Sequence, residues 1–144
     1  MRYARLLLLP AILAALIGCA SGPKLNSVKN SLPTLKSEQA RIYFYRASHL
    51  GGAYQPEVTV DGQVVGKAQI EGVYFMDYTP GKYLISTSLA QGNDVTLILS
   101  AGDVKYVRFK YRIGFAVYPE LVDRSLGEAE SDGLSYTGAP PTVK

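Results

Sequence analysis

The sequence predicts an all-β fold, an antiparallel β-sandwich of about seven to eight short strands with a short C-terminal helix. Three observations predict it. From Arg41 onward, apolar and polar residues alternate with period two rather than 3.6. Turn residues interrupt that alternation roughly every eight to twelve residues, the spacing of sandwiches and barrels. The chain holds eleven tyrosines while charged residues make up 19%, a balance that favours sheet over helix.

The strands follow in order. Arg41–Arg46 (RIYFYR) is dense in β-formers. Glu57–Asp61 and Gln63–Lys67 flank Asp61-Gly62, a strong short-range hairpin signal. Val73–Tyr78 is a second aromatic run, ended by Thr79-Pro80-Gly81, where proline pre-sets φ for a turn. Lys82–Ser88 follows and is broken by Gln91-Gly92-Asn93. Asp94–Ser100 places Val95, Leu97 and Leu99 on one side, and Ala101-Gly102-Asp103 turns the chain again. Val104–Tyr111 sets Val107, Phe109 and Tyr111 against Tyr106, Arg108 and Lys110, and Phe115–Tyr118 is a last short strand. No helical period separates the strands, which argues against a parallel βαβ sheet. Ile42, Phe44, Val58, Val60, Val95, Leu97, Leu99, Val107 and Phe109 form the expected core. Pro119 to Glu130 reads as a short helix, with proline in the first turn and Glu120 and Asp123 at its positive end. Gly127 disfavours that helix on propensity alone.

The N-terminus reads as an address. Arg2 and Arg5 form a basic start, Leu6–Ile17 is an apolar run, and small residues follow. The run is shorter than the ~20 residues a helix needs to span a bilayer, and Pro10 interrupts it. Leu16-Ile17-Gly18-Cys19 resembles the lipobox of bacterial lipoproteins. That resemblance implies cleavage between Gly18 and Cys19 and lipidation of Cys19, with several acyl chains supplying the stable attachment that a single chain does not. Ala20 in place of Asp resembles the pattern sorted to the outer membrane. The expected organisation is a signal peptide over 1–18, lipidated Cys19 and a flexible tether over 19–38, a β-sandwich over 39–130 and a disordered tail over 131–144.

The stretch from Ala40 to about Glu130 resembles an uncharacterised group of bacterial lipoproteins built on one β-domain. Three segments carry the likeness: Ala40-Arg41-Ile42-Tyr43-Phe44-Tyr45-Arg46, then Val60-Asp61-Gly62 with Val65-Gly66, then Tyr78-Thr79-Pro80-Gly81-Lys82-Tyr83. The last is also similar to the Pro-Gly strand start of PEGA-type surface modules. These motifs are structural punctuation, so the resemblance implies fold and location and no functional residues.

Chemistry is sparse. With Arg2 and Arg5 in the leader, thirteen basic residues face twelve acidic ones, a balance with no electrostatic case for nucleic acid or an anionic membrane. The lone cysteine is assigned to lipid, and His49, the only histidine, lies in the loop Ser48-His49-Leu50-Gly51-Gly52. No metal-ligand cluster, phosphate-binding loop or marked nucleophile is visible, so neither cofactor nor catalytic activity is expected. What remains is a possible binding surface. Arg41, Tyr43 and Tyr45 alternate on one strand and Tyr106, Arg108 and Lys110 on another, and Tyr and Arg dominate binding hot spots. The loop Leu50–Gln55 is a weaker candidate contact. The expected function is that of a membrane-anchored envelope lipoprotein acting as a protein-interaction or structural module, docking on an envelope protein and facing the periplasm. A domain that binds a small ligand or glycan through surface tyrosines is the alternative.

Overall fold

The computed structural model describes residues 19–138. The signal segment assigned to 1–18 and the last residues of the tail lie outside the described residues. Among the described residues, nine strands form two sheets. They are β1 (Ala40–Arg46), β2 (Glu57–Val60), β3 (Gln63–Lys67), β4 (Gly72–Tyr78), β5 (Gly81–Thr87), β6 (Val95–Leu99), β7 (Val104–Arg112), β8 (Ala116–Val122) and β9 (Ser135–Tyr136). One sheet runs β8-β7-β1-β4-β9 and the other β3-β2-β5-β6. The first eight strands lie within a few residues of the sequence expectation, because their turns are set locally. Asp61 and Gly62, for example, both adopt positive φ (49° and 79°), the geometry that matches a two-residue hairpin to strand twist.

The two sheets face each other across one core. Ile42 and Phe44 from β1, Val58 and Val60 from β2, Leu97 and Leu99 from β6, and Val107 and Phe109 from β7 are all buried there. Val95, expected in this group, is only half-buried. It opens β6, which is an edge strand, so half its surroundings are solvent.

Four expectations are corrected by the tertiary structure. The five-stranded sheet is mixed, since β1 pairs in parallel with β7 and β4 with β9. Strand β8 runs on through Pro119 to Val122, so the helix starts later and spans Arg124–Ser131 (α2). Proline is tolerated because β8 is an edge strand, where no ladder bond is lost on the outer side. The segment read as a tether instead packs on the domain. Ala20 donates to the Ile70 carbonyl (3.0 Å), Leu25 in a short helix (α1, Leu25–Val28) is fully buried, and Asn26 donates to the Asp132 carbonyl (3.0 Å). The segment read as a disordered tail supplies buried Leu134 and strand β9, with Tyr136 donating to the Pro23 carbonyl (2.7 Å). The two chain ends thus cover one face of the five-stranded sheet and make a third layer.

Beneath that layer lies a second core of Leu25, Tyr43, Tyr45, Val73, Phe75, Tyr106 and Leu134. Tyr43 stacks on Tyr106 with centroids 4.9 Å apart and tilts against Phe75 at 5.6 Å. Gly127 explains itself here. A β-carbon at that position would lie 2.3 Å from Cγ of Tyr106, so glycine lets α2 settle directly on the ring. The low helix propensity of Gly127 is the cost of close packing, not a sign that the helix is absent.

Burial of these phenols couples stability to pH. Desolvation raises the pKa of Tyr45, reinforced by its hydrogen bond to Glu130, and raises those of Tyr74, Tyr78 and Tyr106 as well. In the unfolded chain the same groups ionise near pH ~10. The unfolded state therefore releases protons first, and the stabilisation is intact below that pH and is lost as pH rises beyond it. The urea midpoint is expected to hold steady from about pH 7 to 9 and to fall above about pH 10. A midpoint that did not move on that climb would show that these phenols ionise in the folded domain as they do in the unfolded chain.

Candidate functional site: a charged groove beside the C-terminal helix

The proposed aromatic and basic surface divides in the structure. Arg41, Tyr43, Tyr45 and Tyr106 are buried under the third layer and present no face to solvent. The alternation along β1 and β7 was correctly read, but the outward side of the sheet is the inward side of the cover. Arg41 is held there by Asp77, with Nε and Nη2 donating to its two carboxylate oxygens at 2.7 and 2.9 Å, and by the Pro33 carbonyl at 2.8 Å. Its guanidinium lies 3.8 Å from the centroid of the Phe75 ring. Burial would lower the Arg41 pKa, but the Asp77 contact outweighs it and raises the value. Arg41 is thus a clamp between β1, β4 and the N-terminal segment. Tyr43, Tyr45 and Tyr106 therefore offer no exposed surface to a ligand.

Arg108 and Lys110 stay partly exposed and border a different feature. Antiparallel pairing of β7 with β8 sets Arg108 opposite Glu120. Arg108 donates Nε and Nη2 to Glu120 Oε2 at 3.0 and 2.6 Å, and Nη1 to Glu130 Oε1 at 2.7 Å. Glu130 also accepts from the Tyr45 hydroxyl at 2.5 Å, which ties α2 to the sheet. Lys110 sits 3.7 Å from Glu120. Burial pulls the Arg108 pKa down, and the bond to Glu120 with the charges of both carboxylates raises it on balance. Beside this cluster runs a groove of about 460 Å³ between β7, β8 and α2, lined among others by Lys105, Arg108, Leu121, Arg124 and Leu126. Leu121 and Leu126 are exposed. Apolar side chains flanked by paired charges suit contact with another polypeptide. The sequence points to Arg108 and Lys110 as surface residues and to Leu121 and Leu126 only as an apolar helix face; with Arg124 they line one groove only once β8 and α2 fold back on β7.

His49 lies at the other end of the sandwich. Its Nε2 is 3.3 Å from Glu71, and the hydroxyl of neighbouring Ser48 accepts from the Leu50 amide. Among the described residues, no group of three or more His, Cys, Asp or Glu is placed to hold a metal ion. No helix among them is long and apolar enough to cross a membrane.

The fold is a small all-β module of two sheets in a sandwich-like arrangement. The chain belongs to the DUF2846 family, described as proteins of unknown function, whose model matches residues 36–119. The match is more than half the chain and runs from just before β1 into the middle of β8. A search of curated proteins and one of solved structures each find no match.

Proposed function

We propose that this protein is a bacterial envelope lipoprotein, anchored through lipid on Cys19 to the outer membrane on its periplasmic side, and that its β-sandwich is a non-catalytic docking module for another envelope protein. The observation that carries the reading is the apolar run Leu6–Ile17 leading into Leu16-Ile17-Gly18-Cys19. Two features support it. Cys19 is exposed at the start of the folded segment. The groove with Leu121 and Leu126 offers apolar contact area framed by satisfied charges, and the near-neutral balance of the mature chain gives no case for nucleic acid.

Cys19→Ser is expected to release the protein from membranes and to leave the leader uncleaved at this position. Fractionation and the intact mass of the mature chain read both effects. Unchanged partitioning with the same mature mass would refute the anchor. For the docking role, a photo-crosslinking side chain at Leu126 should form a discrete adduct in the native envelope, while one at Ile98 should not. Equal, diffuse labelling from both positions would count against the groove.

A further inference from the structure

We propose that the end of the sandwich carrying Cys19 is a lipid-contacting face, and that Leu50, Ile113 and Phe115 enter the headgroup boundary of the bilayer to which the protein is anchored. The inference rests on the anchor reading above and adds to it an orientation and a second membrane contact.

The topology brings these groups together. β1 and β7 run parallel and β4 antiparallel to β1, so the end of β1, the start of β4 and the end of β7 lie at the same end of the sheet. The loops after β1 and between β7 and β8 therefore emerge side by side. A chain of contacts joins them to Cys19. Ala20, the next residue, donates to the Ile70 carbonyl at 3.0 Å. Ile70 packs under Gly52, where a β-carbon would lie 2.9 Å from its Cδ1. Tyr54 in the same loop meets Phe115 with ring centroids 5.1 Å apart and stacks on Tyr111 at 6.4 Å. From β4 to β7 is two strand spacings, about 10 Å.

Three of the four most exposed large apolar side chains among the described residues lie at this end: Ile113 at 93%, Leu50 at 69% and Phe115 at 56% exposed. Phe115 holds φ at 68° after Gly114 at 104°. A bulky residue adopts that left-handed conformation at a cost that glycine would avoid. Tyr54 covers part of the Phe115 ring, and the remaining half is open to a partner outside the domain.

The occupant follows from the geometry of the anchor. Because Ala20 is pinned to Ile70, no slack separates a lipid on Cys19 from this end, and one residue spans at most ~3.6 Å. Apolar tips carried at the same end of the sheet as the attachment point then meet the interface, where such side chains bury some 5–10 Å deep. The expected flexible tether would have left these residues in water, and the packed N-terminal segment brings them to the bilayer.

The chain has no tryptophan, which makes a single reporter clean. Full-length Ile113→Trp protein and an Ile98→Trp control, on the outer side of the other sheet, are reconstituted in vesicles of phosphatidylethanolamine and phosphatidylglycerol. Acyl-brominated lipid should quench most of the emission of the Ile113→Trp chain and little of the control, with intact mass confirming the lipid and circular dichroism the fold. A lipidated Ile113→Trp chain quenched no more than the control overturns the docking face and leaves the anchor standing. A chain without lipid that is still quenched through position 113 keeps the face and removes the anchor. A chain with neither lipid nor quenching overturns both.

Discussion

Arg46→Ala is expected to cost about 4 kcal/mol or more and to free the loop between β1 and β2. Arg46 is fully buried, and among the described residues no carboxylate forms an ion pair with it. Backbone carbonyls satisfy its two terminal nitrogens instead, while its Nε has no hydrogen-bond partner there. Nη1 donates to the carbonyls of Tyr54 (2.5 Å) and Ala68 (3.1 Å), and Nη2 to those of Leu50 (2.7 Å) and Gly51 (3.1 Å). Desolvation pushes its pKa down, but a guanidinium stays charged, so the site relies on four aligned carbonyl dipoles to hold it. Truncation removes this donor from the Leu50, Tyr54 and Ala68 carbonyls, at roughly 1 kcal/mol or more each, and opens a void besides, whereas the Gly51 carbonyl keeps the Tyr54 amide. Arg46→Lys should fail as well, since one ammonium cannot reproduce a planar fork reaching four oxygens. Urea unfolding reads the stability, and amide exchange across Ala47–Pro56 reads the loop. A cost below about 1 kcal/mol would mean that water replaces the guanidinium freely and that the loop does not depend on it.

Phe109→Ala is expected to cost about 3–5 kcal/mol, from lost burial plus the cavity left behind. Phe109 lies between the sheets at the centre of β7 and stacks on Phe44 with centroids 6.2 Å apart. Lys110→Ala, one residue along and on the other side of the sheet, should change stability by less than about 0.5 kcal/mol, because Lys110 is partly exposed and its contact with Glu120 is long. The pair tests the register directly, since a one-residue slip exchanges the two sides of the strand. Similar costs at both positions would contradict the assigned facing of β7.

The candidate site was partly legible. Arg108 and Lys110 were picked out as a basic pair on one side of a strand, and that is where they are. Their aromatic companions were misplaced for a physical reason: alternation reports that a strand has two different sides, but not whether the second side meets water or another layer. Tyrosine sharpens the ambiguity, because its ring suits burial and its hydroxyl suits the surface. Tyr45 satisfies both, with the ring buried and the hydroxyl on Glu130. Leu121 and Leu126, which complete the groove, read in the sequence as an apolar face of one helix, and only the extension of β8 to Val122 separates them onto a strand and a helix beside β7.

The sequence by itself determined what is encoded over a few residues. The period of two, the Asp61-Gly62 hairpin and the turns at Thr79-Pro80-Gly81 and Ala101-Gly102-Asp103 are short-range effects, so eight strands and most of the inter-sheet core could be read from them. The tertiary structure alone decided the parallel pairing of β1 with β7, the edge position that lets β8 continue through Pro119, and the docking of residues 20–32 and 124–137 over Tyr43 and Tyr106. Each of these joins segments far apart in the chain. Their free energy comes from apolar area removed from water between partners, a quantity that neither segment carries alone. Segments rich in Ser, Lys and Gly look like tether and tail when read one at a time, and they become a third layer because the sheet offers them a face to cover.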